Sequence, residues 1–88
     1  MTEVLVLHED NHGLIAICKD VPTAIDWLVS HYWITETTQI YDCGKQDYVF
    51  IKDYFGENWQ NNLKLMMAHE LDDLFDSFYF QWVVVQGT

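Results

Sequence analysis

The sequence predicts an α+β domain, in which a mostly antiparallel sheet of about five strands carries helices packed on one face. Three observations predict it. Short runs rich in β-branched and aromatic residues recur between turn residues, as in strands. Other stretches repeat apolar residues every three or four positions, as in helices. Half of the 88 residues are hydrophobic, so a core can form. The predicted order is ββαββααβ, with residues 1–88 as a single domain.

The first half of the chain supplies two hairpins and a helix. Residues 3–9 and 14–19 are strand-like and flank the turn sequence Asp10-Asn11-His12-Gly13. A helix is expected over about residues 22–33, because Asp20 can cap it and Pro22 suits its first turn. Residues 37–41 and 47–51 then predict a second hairpin around Gly44.

The second half supplies two helices and a last strand. Helices are expected over about residues 57–67 and 68–77, with Trp59 packed inside. The aromatic and valine run 78–85 predicts a strand that pairs beside an earlier one, because an unpaired strand this apolar would aggregate. If helices cover only one face of the sheet, its other face stays hydrophobic, which indicates a dimer or a partner surface.

Charge limits the function. The chain has fourteen acidic residues, four lysines and no arginine, so its net charge is −10. That charge disfavours direct binding to nucleic acid or to an anionic membrane. It fits either a surface for a basic partner or simple solubility. Cys18 and Cys43 form no C-x-x-C unit, and no signal-peptide pattern begins the chain, which predicts a cytoplasmic protein with free thiols.

The stretch His8-Glu9-Asp10-Asn11-His12 matches the zinc-peptidase pattern H-E-x-x-H. That chemistry requires a helix, which places both histidines on one face. Here a strand-like run precedes the pattern and Gly13 follows it, so we expect a hairpin tip. We therefore predict no catalytic residue, no metal site and no cofactor. A small metal-dependent enzyme that uses this pattern remains an alternative.

Acidic residues are the better clue to a binding site. Four of them follow Lys64 with no further lysine in the chain, and such a row can imitate the phosphates of nucleic acid. The alternative is a solvated face. Tryptophans beside acids on the first predicted helix resemble binding hot spots. The predicted partner-binding residues are Asp26, Trp27, Trp33, Glu70, Asp72, Asp73 and Asp76.

Two segments, residues 20–28 (DVPTAIDWL) and residues 54–59 (YFGENW), together resemble small acidic proteins encoded by phages and prophages of Gram-positive bacteria. Such genomes also encode anti-CRISPR and anti-restriction proteins, many of them small, acidic blockers of nucleic-acid sites. The resemblance implies a non-catalytic inhibitor that binds a basic host protein in the host cytoplasm. A dimeric phage structural or accessory protein is the other alternative.

Overall fold

The computed structural model describes residues 2–86. Its elements follow the predicted order ββαββααβ, with one addition, a short helix between the fourth strand and the next predicted helix. In chain order the elements are β1 (Thr2–Glu9), β2 (Gly13–Cys18), α1 (Val21–Ser30), β3 (Gln39–Asp42), β4 (Asp47–Phe50), α2 (Ile51–Phe55), α3 (Trp59–Lys64), α4 (Ala68–Leu74) and β5 (Phe78–Val85).

The strands form two antiparallel sheets. β1 lies in the middle of a three-stranded sheet of order β2-β1-β5, and β3 pairs with β4 in a separate hairpin. The α+β class and the antiparallel pairing are therefore confirmed, whereas the single sheet of about five strands is corrected to three strands plus two. The backbone N–H of Ile51 donates to the carbonyl of Thr38, which joins the start of α2 to the entrance of β3.

Alternation along β1 divides the three-stranded sheet into a core face and an open face. Leu5 and Leu7 are buried against the helices, where they share one core with Ile25, Leu28 and Leu71. Strand pairing places the intervening residues together on the other side. We name this side the open face; its residues are Val4, Val6, His8, Leu14, Ile17, Tyr79, Gln81 and Val83.

Helix ends differ from the sequence prediction for local reasons. The Asp20 carboxylate accepts a hydrogen bond from the N–H of Thr23 at 2.9 Å, which starts α1 as expected and lowers the pKa of Asp20. α1 ends at Ser30 and not near residue 33, because Tyr32 adopts φ = 60°, outside the helical region. α4 ends at Leu74 because Phe75 is extended and packs against the start of β5.

One end of the sheet has only two strands. β2 ends at Cys18, which pairs with Leu5, so the first residues of β1 pair with β5 alone. We call residues 2–4 and 82–85 the β1–β5 ribbon. Trp82, Val84 and Val85 of this ribbon are each more than 40% exposed. The ribbon therefore presents apolar side chains to solvent on both of its faces.

Candidate functional site

The HEDNH stretch forms the end of β1 and the turn that follows it, as predicted. Glu9 is buried, and its carboxylate lies 2.6 Å from Nδ1 of His12 and accepts the N–H of Asn11 at 2.9 Å. The hydrogen bond with His12 lowers the pKa of Glu9. The ring of His12 meets Trp33 edge-on, with 5.1 Å between centroids. These contacts make the stretch a folded hairpin tip.

The two histidines of this stretch lie on different sides of the sheet. His8 pairs with Leu14 and Tyr79 on the open face, whereas His12 joins Glu9 and Trp33 on the core side. Across residues 2–86, no group of three or more His, Cys, Asp or Glu side chains is arranged to hold a metal ion.

Acidic side chains and two tyrosines meet where the hairpin tip approaches the turn between α4 and β5. The backbone N–H of Asp10 donates to the carbonyl of Ser77 at 3.0 Å, which holds the two segments together. The Tyr48 hydroxyl donates to the Asp76 carboxylate, and the Asp10 carboxylate lies near enough to the Tyr79 hydroxyl to raise its pKa. We name this region the acidic end; its residues are Asp10, Tyr48, Asp72, Asp73, Asp76 and Tyr79.

Nearby acids raise the pKa values of both tyrosine hydroxyls. The hydrogen bond to Asp76 raises the pKa of Tyr48. The hydrogen bond to Asp10 raises the pKa of Tyr79, and the negative charges of Asp76 and Asp72 raise it further. Three carboxylates, one from the hairpin tip and two from α4 and the turn after it, therefore act on one phenol.

Lysines pair with three of the acids elsewhere on the molecule. Lys64 lies 2.7 Å from Asp26, and Lys52 lies 3.4 Å from Glu36 and 3.5 Å from Glu57. In the part of the chain that the structure describes, no carboxylate of the acidic end forms an ion pair. Residues 2–18 and 65–86, which supply all of the acidic end except Tyr48, contain no lysine. The four carboxylates of the acidic end therefore have no lysine close to them in sequence.

A small cavity adjoins the acidic end. It measures about 200 Å³ and is bordered by Tyr48, Asp76 and Phe78. Tyr48 and Tyr79 remain about half exposed beside these carboxylates. The arrangement combines negative charge, aromatic surface and a recess.

Several residues of the predicted binding set have structural roles. Glu70 accepts a hydrogen bond from the N–H of Met67 at 2.9 Å and so caps the start of α4. Asp72 accepts the backbone N–H of Phe80, which fastens α4 to β5. Asp26 is held by Lys64. Asp73 is exposed on α4 beside Asp72.

Both predicted tryptophans are half-buried, although they occupy different surroundings. Trp27 stacks on His31, with 4.3 Å between ring centroids, on α1. Trp33 packs edge-on against His12 and Phe78, beside the hairpin tip. The structure thus joins Trp33 to the hairpin tip that carries Asp10, whereas Trp27 and Asp26 belong to the surface shared by α1 and α3.

Sequence reasoning missed the two tyrosines as parts of the site, and it did not include Asp10 in the binding set. Tyr79 carried a usable signal, because strand alternation sets it opposite the buried Phe78 and Phe80 and therefore outward. Tyr48 carried none, since its contact with Asp76 spans 28 residues.

The two cysteines lie apart from the acidic end. Cys18 is buried, which raises the pKa of its thiol, and Cys43 is exposed in the turn between β3 and β4. No helix within residues 2–86 has the length and apolar character needed to cross a membrane. Searches with protein-family models, among characterised proteins and among solved structures find no match to this chain.

Proposed function

We propose that this protein is a small, non-catalytic binding module whose acidic end docks on a basic surface of another protein. The observation that carries the proposal is the convergence of Asp10, Asp72 and Asp76 around Tyr79 without an ion pair among the described residues. Carboxylates held this way repel one another, and a cationic partner relieves that repulsion.

The geometry of the acidic end supports a protein partner with lysines or arginines. Tyr48 and Tyr79 offer apolar ring surface with a polar tip, a combination that is enriched at protein interfaces. The cavity beside Asp76 gives one Lys or Arg side chain a recess next to a carboxylate. Carboxylates around such a recess can replace the phosphates that a basic groove otherwise binds. The proposed biological setting is a phage-encoded inhibitor of a host nucleic-acid-binding protein, of the anti-CRISPR or anti-restriction type.

Affinity capture from a Gram-positive bacterial lysate with matched variants tests this proposal. The first variant carries Asp10→Asn, Asp73→Asn and Asp76→Asn, all in the acidic end; Asp72 is kept because it supports β5. The control variant carries Asp26→Asn, Glu36→Gln and Glu57→Gln, which change the net charge by the same amount at acids that pair with lysines.

The expected result is a discrete basic protein retained at low salt by the wild type and by the control, and lost with the acidic-end variant. Rising salt should release it from the wild type and from the control, because exposed charges are screened. Equal capture by both variants would place the binding surface elsewhere. If the wild type captures no basic protein, the proposal is refuted.

A further inference from the structure

The outer edge of β5 has fewer of the protections that edge strands normally carry. Among residues 2–86, β5 pairs only with β1, so its other edge pairs with no strand. Residues 78–85 contain no charged residue and no proline, the two features that most often block edge pairing. The opposite edge strand, β2, is interrupted by a register shift beside Leu7 and His8, and such a bulge protects an edge.

A hydrogen bond from α4 identifies which backbone groups face outward. The N–H of Phe80 points away from β1, because it donates to the Asp72 carboxylate. In an antiparallel ladder, alternate residues direct their N–H and C=O groups to the same side. Trp82 and Val84 therefore present their backbone groups at the outer edge, and Asp72 closes that edge at Phe80. The available segment begins at Trp82.

Apolar surface surrounds this available segment. Trp82 and Val84 are 43% and 49% exposed. A groove of about 490 Å³ lies beside Phe80 and Trp82, and Met66 and Met67 form part of its other wall. A strand added along β5 would pass the mouth of this groove and cover these side chains.

We propose that the outer edge of β5 pairs with β5 of a second copy of this chain, around a two-fold axis near Val83. In this register Trp82 lies opposite Val84 of the second copy, and the reverse pairing follows from the symmetry. Each of these pairs exchanges two backbone hydrogen bonds. Val84 of the second copy comes opposite Trp82 at the groove, and the two sheets become one sheet of six strands.

Charge favours a second copy at this edge over the basic partner of the acidic end. Each chain carries −10, so two copies can approach only through an uncharged surface, and β5 supplies one. The nearest acids are Glu3 on β1 and Asp72 beside Phe80. In the proposed register the two Phe80 residues lie six residues, or about 20 Å, apart along the strands, so the two Asp72 side chains stay well separated. Three strand spacings of about 4.8 Å would separate the two Glu3 side chains by at least ~14 Å. That distance exceeds the Debye length of about 8 Å in physiological salt.

Sedimentation and light scattering of the full chain over a range of concentrations test this pairing. The expected result is a mass that rises to twice the 10.5 kDa of one chain. Salt should strengthen the association, because it screens the repulsion between two acidic chains. Binding at the acidic end should instead weaken with salt. The two proposals can therefore fail separately.

Two variants and one exchange measurement locate the interface. Val84→Lys places a charge on the pairing edge and should give the mass of one chain at every concentration at which the wild type is a dimer. Ile17→Lys adds the same charge at an exposed site on β2 and should leave the dimer intact. In the wild type, the Trp82 and Val84 amides should exchange more slowly as concentration rises. The proposal is overturned by a wild type that stays monomeric at high salt, by a dimer that survives Val84→Lys, or by no concentration dependence of these two amides.

Discussion

The Asp72 carboxylate accepts a hydrogen bond from the backbone N–H of Phe80, and this contact joins α4 to the outer edge of β5. It connects the two surfaces of interest. Asp72 contributes negative charge to the acidic end, while its hydrogen bond sets the point where the free edge of β5 begins. An acidic residue that the sequence indicates for binding thus also supports the sheet.

Asp72→Ala should destabilise the fold by about 1 kcal/mol, because it leaves the edge N–H of Phe80 without its acceptor. Asp73→Ala is the matched control, since Asp73 makes no hydrogen bond among the residues the structure describes. Unfolding by urea, followed by tryptophan fluorescence, measures both. Equal midpoints for the two variants would show that the contact contributes nothing to stability.

The hairpin tip should show a pH-dependent stability that originates at Glu9. Its pKa lies below the ordinary value of 4.5 because of the hydrogen bond with His12. Since the folded-state pKa is lowered, the stabilisation is complete above 4.5 and is lost as pH falls through the folded-state pKa. Glu9→Gln should therefore flatten the loss of stability below that value.

Thermal unfolding at a series of acidic pH values measures the Glu9 effect. Glu3→Gln is the control, because Glu3 is exposed on the same strand. If the two variants lose stability with the same pH dependence, the contact between Glu9 and His12 is not the cause.

Removing one carboxylate should lower the pKa of one tyrosine at the acidic end. Asp76→Asn removes the negative charge that the Tyr48 hydroxyl contacts, so the pKa of Tyr48 should fall towards its ordinary value of 10.0. Tyr79 should respond more strongly to Asp10→Asn than to Asp76→Asn, because Asp10 is the main cause of its raised pKa. NMR titration of ring-labelled tyrosines follows each residue. Unchanged titration of both tyrosines would contradict the described geometry.

The two faces of the three-stranded sheet should differ in their response to truncation. Leu5→Ala removes a fully buried side chain and should cost about 2–5 kcal/mol. Ile17→Ala on the open face, where Ile17 is 60% exposed, should cost less than about 1 kcal/mol. Urea unfolding of both variants below the concentration of self-association measures the difference. Similar losses would mean that the open face is covered.

Local sequence patterns predicted most of the strands and helices. Alternation and turn residues located the strands, and the Asp20 cap located the start of α1. They could not divide the strands between two sheets, because that division depends on the pairing of β1 with β5, which joins the two ends of the chain. The predicted helices extended too far where a single residue leaves the helical conformation, as Tyr32 does after α1.

Only part of the candidate site could be predicted from the sequence. The absence of lysine after Lys64 pointed to Asp72 and Asp76. The sequence could not show that Asp26 lies outside the acidic end, because its ion pair with Lys64 joins α1 to α3 across the fold. Nor could the sequence predict that Asp10 lies near Tyr79, since their proximity depends on the pairing of β1 with β5.

The proposed function of the acidic end is to bind a basic protein. The most direct measurement is the affinity of the captured partner for the wild type, the acidic-end variant and the control variant as salt is varied. A plot of log affinity against log salt should be steep for the wild type and the control, and clearly shallower for the acidic-end variant, because fewer paired charges remain to be screened. The same slope for all three proteins would contradict the claim.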